Sequence, residues 1–233
     1  MWLEVTSTNN DPSIVGQYYL DCVRQIEGAP RIVRADCGTE NVVTAGLQRY
    51  FRSNADDVFA AENSFMYGTS PANQRIEAWW SVLRKSNADW WIKYFKDLRD
   101  TGVYDDSDPL QIACLQFCFT GLLQEELHRV ARHWNTHRIR PYPNQESHPG
   151  KPDVLFFIPE LKGTTDFKTP VDLDDLEVAE RNFCKKRDVF GCRSEFSDVL
   201  QMLMSDHSLT MPRDAEEGKI LFTTLYYLLQ AIV

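Results

Sequence analysis

Two carboxylates stand where their types and spacing suit metal-assisted chemistry. Asp36 stands in the string Arg34-Ala35-Asp36-Cys37-Gly38, just past the end of a run that reads as a strand. Glu77 falls at the start of a helical pattern that opens after Ser70-Pro71. A strand-end Asp is held rigidly by its sheet, and a helix packed across that sheet can bring a Glu to the same point. Paired hard oxygen ligands suit Mg²⁺ or Mn²⁺. Two such ions bridged by carboxylates stabilise both the entering and the leaving oxygen in phosphodiester chemistry. Composition alone does not single this pair out, because the 233-residue chain carries 34 Asp and Glu.

Other candidates read either way. His128, Arg129, Arg132, His133, His137, Arg138 and Arg140 form one basic island, which suits phosphate contacts or the C-terminal end of a helix dipole. Arg84 and Lys85 follow Glu77 by about two turns of the same helix. Asn73, Gln74 and Arg75 precede it, as contacts or as ordinary helix-start polar groups. His133 and His137 are one turn apart, but no nearby Cys or His completes a zinc site. The pairs Trp79-Trp80 and Trp90-Trp91 invite base stacking. Adjacent helical residues point about 100° apart, so one of each pair is expected in the core with the other flanking it. The acids from Asp166 to Glu180 lack the order of a calcium loop and are expected to cap and solvate a helix.

These residues need elements to place them. Met1 to Thr6 reads as a strand with Trp2, Leu3, Glu4 and Val5 alternating. Asp11-Pro12 starts a helix that runs to about Glu27 and stops at Gly28. Strands are expected at 31–35 and 64–67, with a helix at 41–53 between them. The pattern from Ala72 to Trp134 is almost all helical, broken at 102–109, where Asp108-Pro109 starts a second long helix. Residues 135–172 are loop-rich, and helices are expected near 173–187, 194–206 and 215–233. The run Ile220 to Val233 is too short and too polar to span a bilayer. Six cysteines lack CxxC spacing and read as free buried thiols of an intracellular chain. A net charge of −9 excludes a surface that coats nucleic acid throughout, though not a local basic patch.

The words around the two acids carry a resemblance. Ile32-Val33-Arg34-Ala35-Asp36-Cys37-Gly38-Thr39-Glu40-Asn41 resembles the second-aspartate motif of retroviral-type integrases and D,D,E transposases. Ser70-Pro71-Ala72-Asn73-Gln74-Arg75-Ile76-Glu77-Ala78-Trp79-Trp80 resembles their glutamate motif, in the form found in transposon-derived integrase-core proteins of animals. Trp134 to Pro141 and Gly150-Lys151-Pro152 also fit, so the resemblance covers about residues 1–165.

The resemblance implies an α/β, RNase H-like integrase core, followed by a helical extension over 166–233. It implies Asp36 and Glu77 as catalytic acids and as ligands for Mg²⁺ or Mn²⁺. It implies DNA as partner, met by Asn73, Gln74, Arg75, Arg84, Lys85, Arg138 and Arg140, with DNA integration as the activity and the nucleus as the place. The family has three acids. The first, with the first two strands, would precede Met1, so the chain is read as N-terminally truncated and inactive as written. Its first strand would then pair with the next through a crossover over helix 12–27, giving a three-stranded parallel remnant. The alternative is a non-catalytic DNA-binding or protein-interaction module of the same origin, with the helical tail as a means of self-association.

Overall fold

Local signals start the long helices where the sequence places them. Asp11 caps α1 (Pro12–Gln25) by accepting from the Ser13 N–H at 3.0 Å. Asp108 caps α5 (Pro109–Thr136) by accepting from the Leu110 N–H at 2.9 Å. The end of α1 differs from expectation in one respect. The left-handed residue is Glu27, with φ 55°, and the Gly28 N–H donates back to the Val23 oxygen at 3.0 Å. Gly28 is needed for another reason: a Cβ there would lie 2.7 Å from the Thr169 oxygen. The chain from the tail passes that close because Ala29 and Thr169 exchange both backbone hydrogen bonds at 2.8 Å.

In the computed structural model, residues 3–8, 10–68, 74–141 and 148–232 are described. After α1 come β1 (Val33–Asp36), α2 (Val42–Phe51) and β2 (Phe65–Gly68). The two strands pair in parallel, Val33 opposite Phe65 and Asp36 opposite Gly68, with α2 as the crossover. Among the described residues this two-stranded sheet is the whole of the β structure apart from two isolated bridges. Of the strand expected over Met1 to Thr6, Met1 and Trp2 lie outside the described residues and Leu3 to Thr6 form no strand, so that expectation is corrected, and with it the three-stranded remnant. Leu3 and Val5 bond to a side chain instead of a strand. Gln124 of α5 donates to the Leu3 oxygen at 3.1 Å and accepts from the Val5 N–H at 2.9 Å. Alternation suggested a strand; the neighbour the segment found was a helix.

The helical stretch after β2 is α3 (Gln74–Leu83), a π-helical turn over Arg84–Ala88, and α4 (Asp89–Asp100). A π-turn absorbs one extra residue. Trp79 and Trp91 are twelve apart in sequence, which a regular helix would set about 120° apart. With one residue absorbed, the effective separation is about eleven, close to three whole turns. Both rings accordingly turn inward. Trp79 is buried beside Leu3, Leu83 and Ala131, and Trp91 packs with Phe95 and Phe119. Trp80 and Trp90 are about half exposed, so each pair divides as expected.

The tail adds α6 (Pro152–Phe157), α7 (Leu173–Phe183), α8 (Ser194–Asp206) and α9 (Ala215–Gln230). Leu176 and Ala179 of α7 join Leu20, Val23, Leu47 and Phe51 in one core. Leu200, Leu203, Phe222 and Leu225 of α8 and α9 join Phe117 and Phe119 of α5 in the other main core. Cys114, Cys118 and Cys192 are unbridged and buried in that second core. A hydrogen bond with Cys114, then burial, pushes the Cys118 thiol far up, so it packs as a neutral group. Cys37, by contrast, is exposed. No helix among the described residues is long and apolar enough to cross a membrane.

Candidate functional site

Asp36 is the last residue of β1, level with the last residue of β2, and its side chain is exposed. Its backbone oxygen accepts from Asn41 Nδ2 at 3.2 Å, which ties the strand end to the turn that opens α2. Glu77 lies in the first turn of α3, nine residues beyond Gly68, and is also exposed. A carboxylate there is favoured by the helix dipole. The outer side of the carboxyl ends of parallel strands is the usual ligand position in α/β folds, and Asp36 stands at that edge. Asp36 and Glu77 stand on separately anchored elements. β1 is held by β2, whereas α3 is held on α5 by Leu83 and by Trp79, whose ring meets Trp134 edge-on at 5.9 Å.

The remaining candidates fall into three groups. Asn73 lies outside the described residues, and Gln74 and Arg75 are the first two residues of α3. Arg84 and Lys85 open the π-turn and are exposed, with Arg84 Nε 3.3 Å from Asp89 Oδ1. Arg138 and Arg140 flank Ile139, which bonds Gly150 through both backbone groups at 2.8 and 3.1 Å. Extended residues two apart share a face, and both arginines are exposed. The rest of the basic island is partly committed elsewhere. His128 Nε2 lies 2.7 Å from Gln124 Nε2 and 3.5 Å from Glu4 Oε1, and Arg132 pairs with Glu125 at 3.7 Å. His137 Nδ1 lies 2.5 Å from the Trp134 oxygen.

A two-ion centre needs more oxygen donors than one Asp and one Glu supply. Among the described residues no group of three or more His, Cys, Asp or Glu is placed to share an ion. Asp36 and Glu77 are therefore an incomplete donor set for such a centre.

Two residues that position this region are not singled out by the sequence pattern. Gln124 fixes the segment from Leu3 to Val5. Glu126 accepts from Asn87 Nδ2 at 2.8 Å and from Trp91 Nε1 at 2.5 Å, which clamps the π-turn to α5. The signal for Gln124 is a polar residue seven places after Phe117 on the buried stripe of α5, where an apolar one is expected.

A family model described as an integrase core domain matches residues 1–158. The chain belongs to the integrase core domain family. No curated protein and no solved structure matches it. The match takes in β1, α2, β2 and all of α3 to α5, and ends before α7 begins.

Proposed function

We propose that this chain engages DNA at the carboxyl edge of β1 and β2, as an integrase-core polypeptide of transposon origin. Asp36 and Glu77 are read as two acids of the family's centre. Asn73, Gln74, Arg75, Arg84, Lys85, Arg138 and Arg140 are read as the groups that meet phosphates and bases. The observation that carries the reading is the family match across the elements that present both acids. A bound Mg²⁺ or Mn²⁺ would supply charge for phosphodiester chemistry in the family. Two carboxylates are too few for that here, so residues 1–233 are proposed not to join DNA strands by themselves. Residues 1–165 are proposed as the core-like part and 166–233 as its extension, working in the nucleus.

Two assays test this together. Fluorescence anisotropy on duplex DNA across a salt series should show binding that weakens steeply with salt. A strand-joining gel with Mg²⁺ and with Mn²⁺ should show no product. Joined product abolished by Asp36→Asn would overturn the inactivity. No binding at low salt would overturn the DNA reading.

A further inference from the structure

We propose that the pocket between the end of α1 and α6 binds a carboxylate carried on an aromatic body. Its volume is about 380 Å³, within the range of small-molecule sites, and Arg31, Phe156, Phe157 and Phe167 line it. The three phenylalanines keep between 53% and 66% of their surface exposed, so much apolar area gathers at one hollow. Arg31 lies two residues before β1. The pocket is therefore at the amino end of that strand, opposite the edge where Asp36 stands.

Arg31 sets the charge of the occupant. Its guanidinium carbon lies 4.5 Å from the centre of the Phe59 ring and 4.9 Å from that of Phe167. A guanidinium seated on rings in this way is held without using its N–H donors. Among the described residues the side chain makes no hydrogen bond and no ion pair, and Nε is buried without a partner. The outer Nη groups are thus the donors that a ligand in the pocket can reach. Acids nearby are committed elsewhere. Asp166 Oδ2 pairs with Lys168 Nζ at 3.5 Å, and its Oδ1 accepts from the Lys168 N–H at 2.9 Å. Asp57, two residues before Phe59, pairs with Arg52 at 2.5 Å and accepts from the Phe59 N–H at 2.7 Å. A half-buried cation without a counter-ion is costly, and a planar carboxylate matches its fork. Glu27, held left-handed at φ 55°, also lines the pocket and is exposed. With that carboxylate on the rim, a singly charged acid suits the pocket better than a doubly charged phosphate. The phenylalanine rings supply an aromatic body with faces and edges to pack on. The site is separate from the DNA reading and stands without it.

NMR titration of the isotope-labelled full chain, read at the Glu27 and Phe167 amides, tests it. The probe is hydrocinnamate, which should bind saturably at millimolar concentration or below. Hydrocinnamamide, which lacks the charge, and butanoate, which lacks the ring, should each bind at least about tenfold more weakly. Arg31→Met should abolish binding of the acid, and Phe157→Ser, at an exposed position, should weaken it several-fold. The comparison of acid with amide needs no variant, so it holds whatever these changes do to the fold. A peptide ending in Phe with a free carboxylate that binds more tightly than hydrocinnamate would make a chain terminus the source. The reverse order would make the source a free small acid, and either order supports the site. No shift at several millimolar would overturn the proposal, as would equal binding of the amide or binding that survives Arg31→Met. Preference for phenyl phosphate or for phenethylammonium would assign the pocket to another ligand class and equally overturn it.

Discussion

Gln124, on the buried stripe of α5, donates its side-chain amide to the backbone oxygen of Leu3 at 3.1 Å. The same side chain accepts from the Val5 N–H at 2.9 Å, so one glutamine supplies both bonds that a neighbouring strand would have made. Replacing it leaves two backbone groups without their partners in a part-buried place. Gln124→Leu is expected to cost about 1–3 kcal/mol in urea unfolding. Unchanged stability, with Leu3 to Val5 still protected in hydrogen exchange, would refute this role.

The π-turn makes an unusual expectation about length. Removing Ser86 should convert Arg84–Ala88 to regular helix while Trp79 and Trp91 keep a shared face. Adding one Ala after Ser86 should swing α4 by about 100° and turn Trp91 away from Glu126. The deletion is therefore expected to cost less stability than the insertion, read by urea midpoint. Loss of Trp91 packing should show in tryptophan fluorescence for the insertion alone.

Glu180 joins α7 to α1. It accepts from Arg24 at 2.8 Å and pairs with Lys186 at 3.1 Å. The Lys186 bond, then Arg24, hold its carboxyl below the usual range against the opposing effect of burial. Its folded pKa lies below its unfolded one. The stability it adds is thus present above the unfolded carboxylate value, about 4.3, and is lost as pH falls through the lower folded value. Glu180→Gln should cost about 1 kcal/mol at neutral pH and nearly nothing in strong acid. An equal loss at both pH values would show that packing, not charge, joins these helices.

Gly191 and Gly163 separate two costs. Both have left-handed backbones, with φ of 73° and 69°. A Cβ at 191 would also meet Thr120 Oγ1 at 2.3 Å, whereas one at 163 would meet nothing within 4 Å. Gly163→Ala should cost about 1 kcal/mol, the conformational share alone. Gly191→Ala should cost clearly more, and Thr120→Ala should recover part of the difference in a double-mutant cycle.

The arginines that flank Ile139 bear on the DNA reading. If each neutralises one phosphate, changing Arg138 and Arg140 to Ala should reduce the slope of log K against log salt by about 0.9 apiece. Asp36→Asn should leave fold stability within about 0.5 kcal/mol, because its side chain is exposed. An unaltered salt slope in the double variant would remove both arginines from the interface.

Much of this architecture is written in short stretches of sequence. Asp11-Pro12 and Asp108-Pro109 start their helices because a cap and its N–H lie two residues apart, and nothing distant is needed. The same holds for the β1 and β2 segments, for the three tail helices, and for the division of each tryptophan pair into an inner and an outer ring. The family was also legible, because the strings that carry the resemblance are continuous. Tertiary structure decided the rest. An alternating segment becomes a strand only if another strand presents its edge, and Leu3 to Val5 met Gln124 instead. The phase of α4 relative to α3 depends on a π-turn that Glu126 clamps from 39 residues beyond Asn87. The α2–α7 contact joins segments more than 120 residues apart, as the Tyr50–Asp175 bond shows. Local dihedral and capping preferences act over one helical turn, whereas the choice of packing partner is settled only when the whole chain competes for the same buried surface.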